Sequence, residues 1–394
     1  MHNVNQVIEN SMCTGCGLCT KSTKDMEIDG SGYLRPKLII SDRVSNLCCP
    51  GIVVSHNNKD APYNVQWGPI LSVNAGYAVD PQVRNSGSSG GTITAIAQHL
   101  IRNKKVDGVI HTGGSTENPI RNSVKISTTT TQVLENAGSR YSPSAPLAII
   151  RSVMGNGMKY AVIGKPCDIA ALRKLTLEFP DSKEQFPYLL SFMCAGVPSE
   201  KGTIQIIEKL GIKSQAEVKS FRYRGDGWPG LTTARLHDNS VHTMTYNESW
   251  GKILNRHLQT RCKVCADGIG EAADIVCADA WHSSVDGYPT FTETEGRSLV
   301  LTRTFTGERI IKSALLNNEI KLEAFAEEDI KKIQPFQVNR KSTALSRKLA
   351  IMILGGNNTK YINYKLLKNL YTGGFSLNLK AFMGTFYRKL NNKL

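Results

Sequence analysis

The chain has 394 residues, of which 40% are hydrophobic and 21% charged, and its formal net charge is +15 at pH 7. A chain of this length can bury a sizeable core, so its ten cysteines are not needed as a disulfide framework. It has no run of 18 apolar residues, so we expect no membrane-spanning helix. Its N-terminus lacks a basic segment followed by an apolar one, so we expect no secretion signal. We therefore expect a cytoplasmic protein whose reduced thiols bind metal or carry out redox chemistry.

The first feature along the chain is a run of closely spaced cysteines, Cys13-Thr-Gly-Cys16-Gly-Leu-Cys19. Three thiolates at this spacing, with glycines between them, can wrap around one face of a 4Fe-4S cluster. We expect the fourth ligand from Cys49, which precedes a proline as in bacterial ferredoxins, with Cys48 as the alternative. Zinc is the competing metal, although its sites favour paired Cys-x2-Cys knuckles or added histidine. We assign residues 1–60 to an N-terminal iron–sulfur segment.

From about residue 70 the sequence alternates strand-like and helix-like segments, which predicts an α/β body. The apolar patterns predict strands at 72–79, 106–112, 160–163 and 188–192, and helices at 92–103 and 169–175. Strand-like alternation and turns are more frequent between residues 213 and 310. We divide the remaining chain into regions 61–210, 211–330 and 331–394.

A run rich in glycine and serine leads directly into the predicted helix at 92–103. It contains Ser88, Ser89, Gly90, Gly91 and Thr92. Without side chains on the glycines, backbone N–H groups at the helix start can approach a phosphate, and the hydroxyls add donors. The same run also fits a tight turn with a helix N-cap, and it matches neither the P-loop nor the G-x-G-x-x-G pattern. Beside cluster-forming cysteines, a redox cofactor with a pyrophosphate is the better explanation.

A second group of cysteines lies in the body of the chain. Cys167 and Cys194 each follow a predicted strand, and Cys262 and Cys265 form a Cys-x2-Cys pair. Because strand ends of an α/β sheet meet at one crevice, these four cysteines could hold a second 4Fe-4S cluster. An alternative for Cys167 is a thiolate of lowered pKa at a helix N-terminus, acting in redox or nucleophilic chemistry. We interpret Cys277 as a packing residue.

The positive charge is concentrated in residues 331–394, which carry 13 Lys and Arg without Asp or Glu, and so supply +13 of the formal +15. Apolar side chains near its end fall close to one helical face: Phe375, Leu379, Phe382, Met383, Phe386 and Leu390. Such a basic amphipathic helix can lie on the inner face of an anionic membrane or bind an acidic protein partner. The alternative is a helical cap that packs on the body. We expect no nucleic-acid binding, because no recognition motif accompanies the charge.

Further motifs occur between the cysteine groups, in an order that is typical of one family. They are Gly138-Ser-Arg-Tyr141, Gly164-Lys-Pro-Cys-Asp-Ile-Ala-Ala-Leu-Arg173, Cys194-Ala-Gly-Val-Pro198, Phe221-Arg-Tyr-Arg-Gly-Asp-Gly-Trp-Pro-Gly230, Arg261-Cys-Lys-Val-Cys265 and Ala273-Asp-Ile-Val-Cys-Ala-Asp-Ala-Trp281. Together with the N-terminal cysteines and the glycine–serine run, they resemble the coenzyme F420 hydrogenase/dehydrogenase beta-subunit family from about residue 10 to 315. The resemblance implies a mixed α/β (α+β) fold: a short ferredoxin-like segment on a larger α/β flavin-binding body, followed by the basic helical tail.

The resemblance also implies the cofactors: two 4Fe-4S clusters and FAD, with reduced ferredoxin or coenzyme F420 as the redox partner. Residues 88–92 would lie at the FAD phosphates in region 61–210. Residues at matching positions would line the cofactor cleft: Arg140, Tyr141, Asp279 and Trp281. The second cysteine group, in part from region 211–330, would hold the cluster nearer the flavin. The N-terminal segment lacks the eight cysteines of a full two-cluster ferredoxin insert, so we expect one cluster there.

These expectations favour an iron–sulfur flavoprotein oxidoreductase that reduces an organic substrate, for example a glycan or a lipid-linked intermediate. A close alternative is an electron-transfer subunit of a larger complex. A hypothesis of another class is a non-redox interaction protein whose cysteines bind zinc, which would be colourless and free of flavin. We expect a homo-oligomer, and we assign no catalytic acid or base.

Overall fold

The structure is a computed structural model that describes residues 3–283 and 289–391. Short elements form its N-terminal part: α1 (Val4–Glu9), β1 (Met26–Ile28), β2 (Leu34–Pro36), α2 (Arg43–Cys48), β3 (Val53–Ser55), β4 (Tyr63–Asn64) and β5 (Gly68–Pro69). Strands β1 and β2 pair antiparallel, as do β4 and β5. The cysteine run of residues 13–19 lies in a loop between α1 and β1.

Longer strands and helices alternate in the body of the protein. They are β6 (Ser72–Ala78), α3 (Pro81–Ser86), α4 (Thr92–Arg102), β7 (Gly108–Gly114), β8 (Asn122–Ser127), α5 (Thr130–Glu135), α6 (Ile150–Val153), β9 (Tyr160–Gly164), α7 (Pro166–Glu178), α8 (Asp181–Gln185), β10 (Tyr188–Phe192), α9 (Glu200–Lys209), β11 (Val218–Arg222), β12 (Thr232–Leu236), β13 (Val241–Met244), α10 (Thr260–Lys263), β14 (Ile275–Asp279), β15 (Ser298–Thr302), α11 (Phe305–Leu316) and β16 (Ile320–Ala324). Turns of 3-10 helix lie at Thr23–Asp25, Pro146–Ile149, Gln215–Glu217, Leu254–Arg256 and Glu327–Asp329, and a π-helical turn at Asn247–Gly251.

An eight-stranded sheet, ordered β16-β6-β15-β14-β10-β9-β7-β8, forms the centre of the body. Its middle strands β14, β10, β9 and β7 run parallel, whereas the flanking strands pair antiparallel. The middle strands are apolar runs because both faces of the sheet are covered. Leu189 packs with Leu172 of α7 on one face, and Leu190 packs with Ile96 of α4 on the other. The predicted mixed α/β fold is confirmed.

A smaller antiparallel sheet, β11-β12-β13, packs beside the main sheet against α9. Its apolar contacts join Phe221 and Ala234 of the strands to Ile206 of the helix. The loop that follows β11 returns to the main sheet and carries the motif of residues 221–230. This second sheet therefore supplies one wall of the region near the carboxyl end of β14.

The C-terminal region is helical and packs on the rest of the protein. It contains α12 (Ile330–Ile333), α13 (Pro335–Ser342), α14 (Ala344–Ile353), β17 (Lys360–Ile362), α15 (Leu366–Gly373) and α16 (Phe375–Leu390). Strand β17 pairs parallel with β3 of the N-terminal part. Lys341 forms a buried ion pair with Glu271, with 2.8 Å between Nζ and Oε1. None of the helices in the described part of the chain has the length and apolar character needed to span a bilayer.

Candidate functional site

The loop of residues 13–19 is held in shape by its glycines and by contacts from the body. Gly17 has φ +84°, and an added Cβ would lie 2.6 Å from the Cβ of Ala148, so the position excludes any side chain. The backbone of the loop is fixed at two further points. Leu147 N donates to Cys16 O at 2.9 Å, and Arg151 Nε donates to Leu18 O at 3.0 Å.

The structure brings Cys13, Cys16, Cys19 and Cys49 together, and we call them the first quartet. Burial, with the neighbouring Cys13 and Cys49 thiols next in effect, raises the pKa of Cys19 to about 12. Burial likewise raises the pKa of Cys49 to about 11, with Cys13 next in effect. Cys49 is the C-cap of α2, whereas Cys48 is fully buried in the main apolar core. Of the two candidates for the fourth position, only Cys49 therefore lies among the other three.

The second quartet consists of Cys167, Cys194, Cys262 and Cys265, which line one narrow cavity. Cys167 follows β9 and Cys194 follows β10, and these two strands pair in parallel with Ser191 opposite Gly164. Backbone amides point at three of the four sulfurs. Gly196 N lies 3.4 Å from Cys194 Sγ, Val197 N lies 3.4 Å from Cys262 Sγ and Asp267 N lies 3.4 Å from Cys265 Sγ.

The environment of Cys167 argues against its alternative role as an activated nucleophile. Burial raises its pKa well above the usual value, and Asp168 raises it further, although Lys165 opposes the shift. A nucleophilic cysteine requires a lowered pKa. Four thiols that line one cavity can instead become thiolates by binding a metal, since a bound metal deprotonates a coordinating thiol outright.

The two quartets are neighbours. Thr14, which lies between two cysteines of the first quartet, lines the cavity of the second quartet. Asp168, at the start of α7, also acts on Cys16 of the first quartet by raising its pKa after the larger effect of burial. The loops that carry the two quartets are therefore adjacent in the structure.

Within residues 3–283 and 289–391, no three His, Cys, Asp or Glu side chains converge closely enough to hold one ion.

The glycine–serine run forms the loop between α3 and α4. Gly91 is the N-cap of α4 at φ +74°, and no side chain caps this helix start. An added Cβ at Gly91 would lie 2.6 Å from Val83 O. The hydroxyls are already engaged: Ser89 Oγ donates to Arg297 O at 2.8 Å, and Thr92 Oγ1 donates to Cys277 Sγ at 3.4 Å. A phosphate at this loop would therefore be bound by backbone N–H groups of the uncapped helix.

The glycine–serine loop is joined to the end of β14 by Arg224. Its guanidinium is buried, donates to Ser88 O at 2.6 Å and forms a two-point ion pair with Asp279 at 2.9 and 3.0 Å. Trp228 Nε1 also donates to Asp279, and the Trp228 ring stacks on Trp281 with centroids 4.8 Å apart. Asp279 and Trp281 thus lie beside the glycine–serine loop.

The other two predicted cleft residues have different surroundings. Arg140 donates to Asn122 Oδ1 at 2.8 Å and to Phe221 O at 2.7 Å, and further backbone carbonyls accept from its remaining nitrogens. Its guanidinium thus joins β8 to β11 and has little capacity left for a cofactor. The hydroxyl of Tyr141 accepts from Arg224 Nη1 at 3.2 Å, which places it at the edge of the Arg224–Asp279 group.

The sequence analysis assigned no role to Arg224, Arg261 or Tyr361. The first two were visible as parts of the motifs at 221–230 and 261–265, but nothing in a motif shows which side chain turns inward. Tyr361 gave no signal, because it lies in the basic tail and reaches the second quartet only through tertiary packing: its hydroxyl lies 3.7 Å from Cys265 Sγ.

Fold and site define a mixed α/β protein that gathers cysteines at the carboxyl edge of its sheet, next to an uncapped helix start. The sequence matches two models of known families: coenzyme F420 hydrogenase/dehydrogenase beta subunit N-term over residues 73–151, and the C terminus of the same subunit over residues 157–328. The chain therefore belongs to the coenzyme F420 hydrogenase/dehydrogenase beta-subunit family, an oxidoreductase family.

Curated relatives and a solved structure agree with this assignment. The chain is 24% identical to the coenzyme F420-dependent sulfite reductase of Methanocaldococcus jannaschii over 88% of its own length, and it spans only 52% of that protein. It is 26% identical to a coenzyme F420 hydrogenase subunit beta of Methanococcus voltae, over 55% of this chain and 75% of the relative. The fold is similar to a chain of the F420-reducing NiFe hydrogenase complex of Methanosarcina barkeri, with a TM-score of 0.57 and 21% identity, over 77% of this chain and 98% of that one.

Proposed function

We propose that this protein is an iron–sulfur flavoprotein oxidoreductase in which two 4Fe-4S clusters exchange electrons with FAD. The observation that carries the proposal is the adjacency of the two cysteine quartets at one edge of the sheet. The first quartet would hold one cluster and the second quartet the other. The clusters transfer single electrons, and the flavin converts between one-electron and two-electron steps.

The residues of this chain supply the environment that such clusters need. Buried thiols, with pKa values raised by burial, are stabilised as thiolates once iron binds. The amides of Gly196, Val197 and Asp267 would hydrogen-bond to the ligating sulfurs, which is one way in which a protein sets a cluster's reduction potential.

The glycine–serine loop supports the proposal for FAD. The uncapped start of the eleven-residue helix α4 offers N–H donors to a pyrophosphate. The Trp228–Trp281 stack and the Arg224–Asp279 pair lie next to the loop, where a flat ring system would bind. Arg224, whose second nitrogen bonds the loop carbonyl of Ser88, would keep both parts in place.

We propose coenzyme F420 or reduced ferredoxin as the external redox partner. The support is that the relatives named above are F420-dependent enzymes and subunits. One of these relatives is a longer reductase, and the others are subunits of larger enzymes. The terminal electron acceptor of this protein would accordingly be either an organic substrate or another subunit of a complex.

The decisive test is anaerobic purification of the full chain, followed by quantification of iron, sulfide and flavin. We expect about eight iron atoms and one FAD per chain. Reduction by F420H2 and by reduced ferredoxin would then be followed separately in the flavin absorption band. About four irons would remove one cluster from the proposal, and zinc without flavin would overturn it.

We further propose that the C-terminal helices attach the protein to an anionic membrane surface. The exposed side chains on α15 and α16 are largely apolar or aromatic: Leu367, Tyr371, Phe375, Leu379, Met383, Tyr387 and Leu390. Exposed basic residues lie among them: Lys368, Lys380, Arg388 and Lys389. Large apolar side chains on one helix surface, surrounded by lysine and arginine without a carboxylate, fit the interface of an anionic bilayer.

Sedimentation with vesicles tests this attachment. Binding to phosphatidylserine-containing vesicles should exceed binding to pure phosphatidylcholine vesicles, and Leu379→Glu with Met383→Glu should abolish it. Leu316→Glu, at a leucine of α11 that is more exposed than either of these residues, is the control and should leave binding unchanged. Equal sedimentation of the double variant and the wild type would disprove the attachment, and failure of the wild type to bind either vesicle would instead favour an acidic protein partner.

A further inference from the structure

One side chain from the C-terminal region reaches the second quartet. Tyr361 lies opposite Val54 in the parallel pairing of β17 with β3, and β3 follows the fourth cysteine of the first quartet. The hydroxyl of the same tyrosine lies 3.7 Å from Cys265 Sγ of the second quartet. Tyr361 is outside residues 73–328, which are the part of the chain matched to the family.

The direction of the Tyr361 hydroxyl proton follows from its partners. The oxygen accepts from Arg261 Nη1 at 2.8 Å and from Ala266 N at 3.0 Å. A phenol oxygen carries one proton to donate and accepts at most two hydrogen bonds, and both acceptor positions are in use. The remaining proton therefore points at Cys265 Sγ.

Arg261 holds this tyrosine and is itself a buried cation in need of a negative partner. Its side chain is 2% exposed, its Nη2 donates to Pro50 O at 3.3 Å, and its Nε has no partner among the described residues. The groups that interact with its charge are the Tyr361 hydroxyl and the thiols of the second quartet, and none of these groups is a carboxylate. An isolated buried charge is costly, so the thiolates of a bound cluster would supply the missing negative charge.

We propose that Tyr361, held by Arg261, is a positioning residue that raises the reduction potential of the second cluster through an O–H···S hydrogen bond to Cys265. The proposal rests on the function proposed above. Reduction adds negative charge to the cluster, and a hydrogen bond together with a nearby cation stabilises the reduced form more than the oxidised form. Because Arg261 also donates to Pro50 O, next to Cys49, the Arg261–Tyr361 pair joins the segments that would hold the two clusters.

The test is a redox titration, monitored by electron paramagnetic resonance, of the full chain purified anaerobically. Tyr361→Phe keeps the ring and removes only the hydroxyl, so the second cluster should shift to a lower potential while the first cluster and the iron content stay unchanged. Tyr33→Phe is the matched control, because the Tyr33 hydroxyl donates to His257 O at 2.7 Å rather than to a sulfur, and it should shift neither potential.

A second variant keeps the test decisive if Tyr361→Phe lowers the iron content. Replacing Tyr361 with 3-fluorotyrosine keeps the hydroxyl and makes it a stronger donor, so the potential of the second cluster should rise. Wild-type potentials in both variants, with about eight irons bound, would overturn the role of Tyr361 and leave the proposed function intact. A wild-type protein without iron would instead refute the proposed function.

Discussion

At the scale of single residues, two neighbouring cysteines differ in the direction of their side chains. Cys49 lies with the first quartet, whereas Cys48 is fully buried in the apolar core, where burial raises its pKa to about 12. We predict that Cys49→Ser reduces the iron content from about eight to about four atoms per chain. Cys48→Ser should retain all the iron and lose only about 1–2 kcal/mol of stability. Iron analysis of both variants decides between them, and loss of iron from Cys48→Ser alone would contradict this prediction.

The Arg224–Asp279 ion pair provides a second residue-scale prediction. Asp279→Asn would leave a guanidinium that is 2% exposed without its carboxylate. Removing one partner of a buried pair costs about 3–5 kcal/mol, so we expect a large fall in the free energy of unfolding and loss of bound flavin. Glu323→Gln is the control, because Arg297 and Glu323 are 25% and 70% exposed and such surface pairs contribute about 0–1 kcal/mol. Equal stability of the two variants in chemical unfolding would refute the structural role of Asp279.

These residues also show how much of the site could be predicted from sequence. Local spacing predicted Cys13, Cys16 and Cys19 as ligands, and likewise the pair Cys262 and Cys265. The grouping of Cys49, Cys167 and Cys194 with them was inferred from a following proline and from predicted strand ends. Whether they bind iron stays a prediction. By contrast, the role of Arg140 and the inward-facing hydroxyl of Thr92 depend on partners that are distant in the chain: Phe221 and Cys277. Motif residues can be recognised in a sequence, but the direction of their side chains depends on tertiary packing.

At the scale of elements, apolar periodicity located the strands and helices that carry the site. The predicted strand 72–79 corresponds to β6, Ser72–Ala78, and the predicted helix 92–103 corresponds to α4, Thr92–Arg102. The pairing order of the strands could not be read from periodicity, since it depends on contacts between distant segments. For the same reason the sequence predicted helices in the basic tail but not β17, which forms only by pairing with β3.

The hairpin of β7 and β8 gives a prediction for pH dependence. His111 of β7 is buried opposite Lys125 of β8 and hydrogen-bonds Ser127, and burial, with Lys125 second, lowers its pKa from 6.5 to about 4. The unfolded chain therefore binds the proton first as the pH falls. The stabilisation is complete above about pH 6.5 and is lost progressively towards pH 4, by up to about 3 kcal/mol.

The variant His111→Gln should remove that part of the pH dependence. Chemical unfolding near pH 7 and near pH 5 would show a smaller difference in stability for this variant than for the wild type. His237→Gln, at an exposed turn, is the control and should retain the wild-type difference. An unchanged pH dependence in His111→Gln would show that other groups cause it.

At the scale of the whole molecule, the C-terminal region is part of the structure that surrounds the site. Gln337 Nε2 donates to Cys194 O at 3.2 Å, and Gln334 Nε2 donates to Asp279 O at 2.7 Å. Two glutamines three positions apart thus join the second quartet to the end of β14, where the flavin is proposed to bind. The sequence becomes strongly basic from residue 331, but the C-terminal region still packs on the body of the protein without a break.

The buried Lys341–Glu271 pair allows this integration to be tested. Glu271 is fully buried and also accepts from Tyr63 at 2.8 Å, so its charge is balanced mainly by a lysine from the C-terminal region. A chain ending at residue 330 should lose this balance together with β17, and should fail to retain iron at the second quartet. A chain ending at residue 373 removes only α16 and should retain iron while losing vesicle binding.

Point variants separate the effect of losing the Lys341–Glu271 ion pair from the effect of removing the whole C-terminal region. Lys341→Met removes the main counter-charge of Glu271 and leaves it with His56, at 3.3 Å, and the Tyr63 hydroxyl, which we expect to cost about 3–5 kcal/mol in chemical unfolding. Adding Glu271→Gln removes the negative charge. The double variant should therefore be more stable than Lys341→Met alone, although the side chain at position 271 still lacks the lysine as a partner. If the single and double variants were equally stable, the loss of stability would come from the packing of the lysine's aliphatic stem. The C-terminal region would then be held by apolar contacts rather than by the Lys341–Glu271 ion pair.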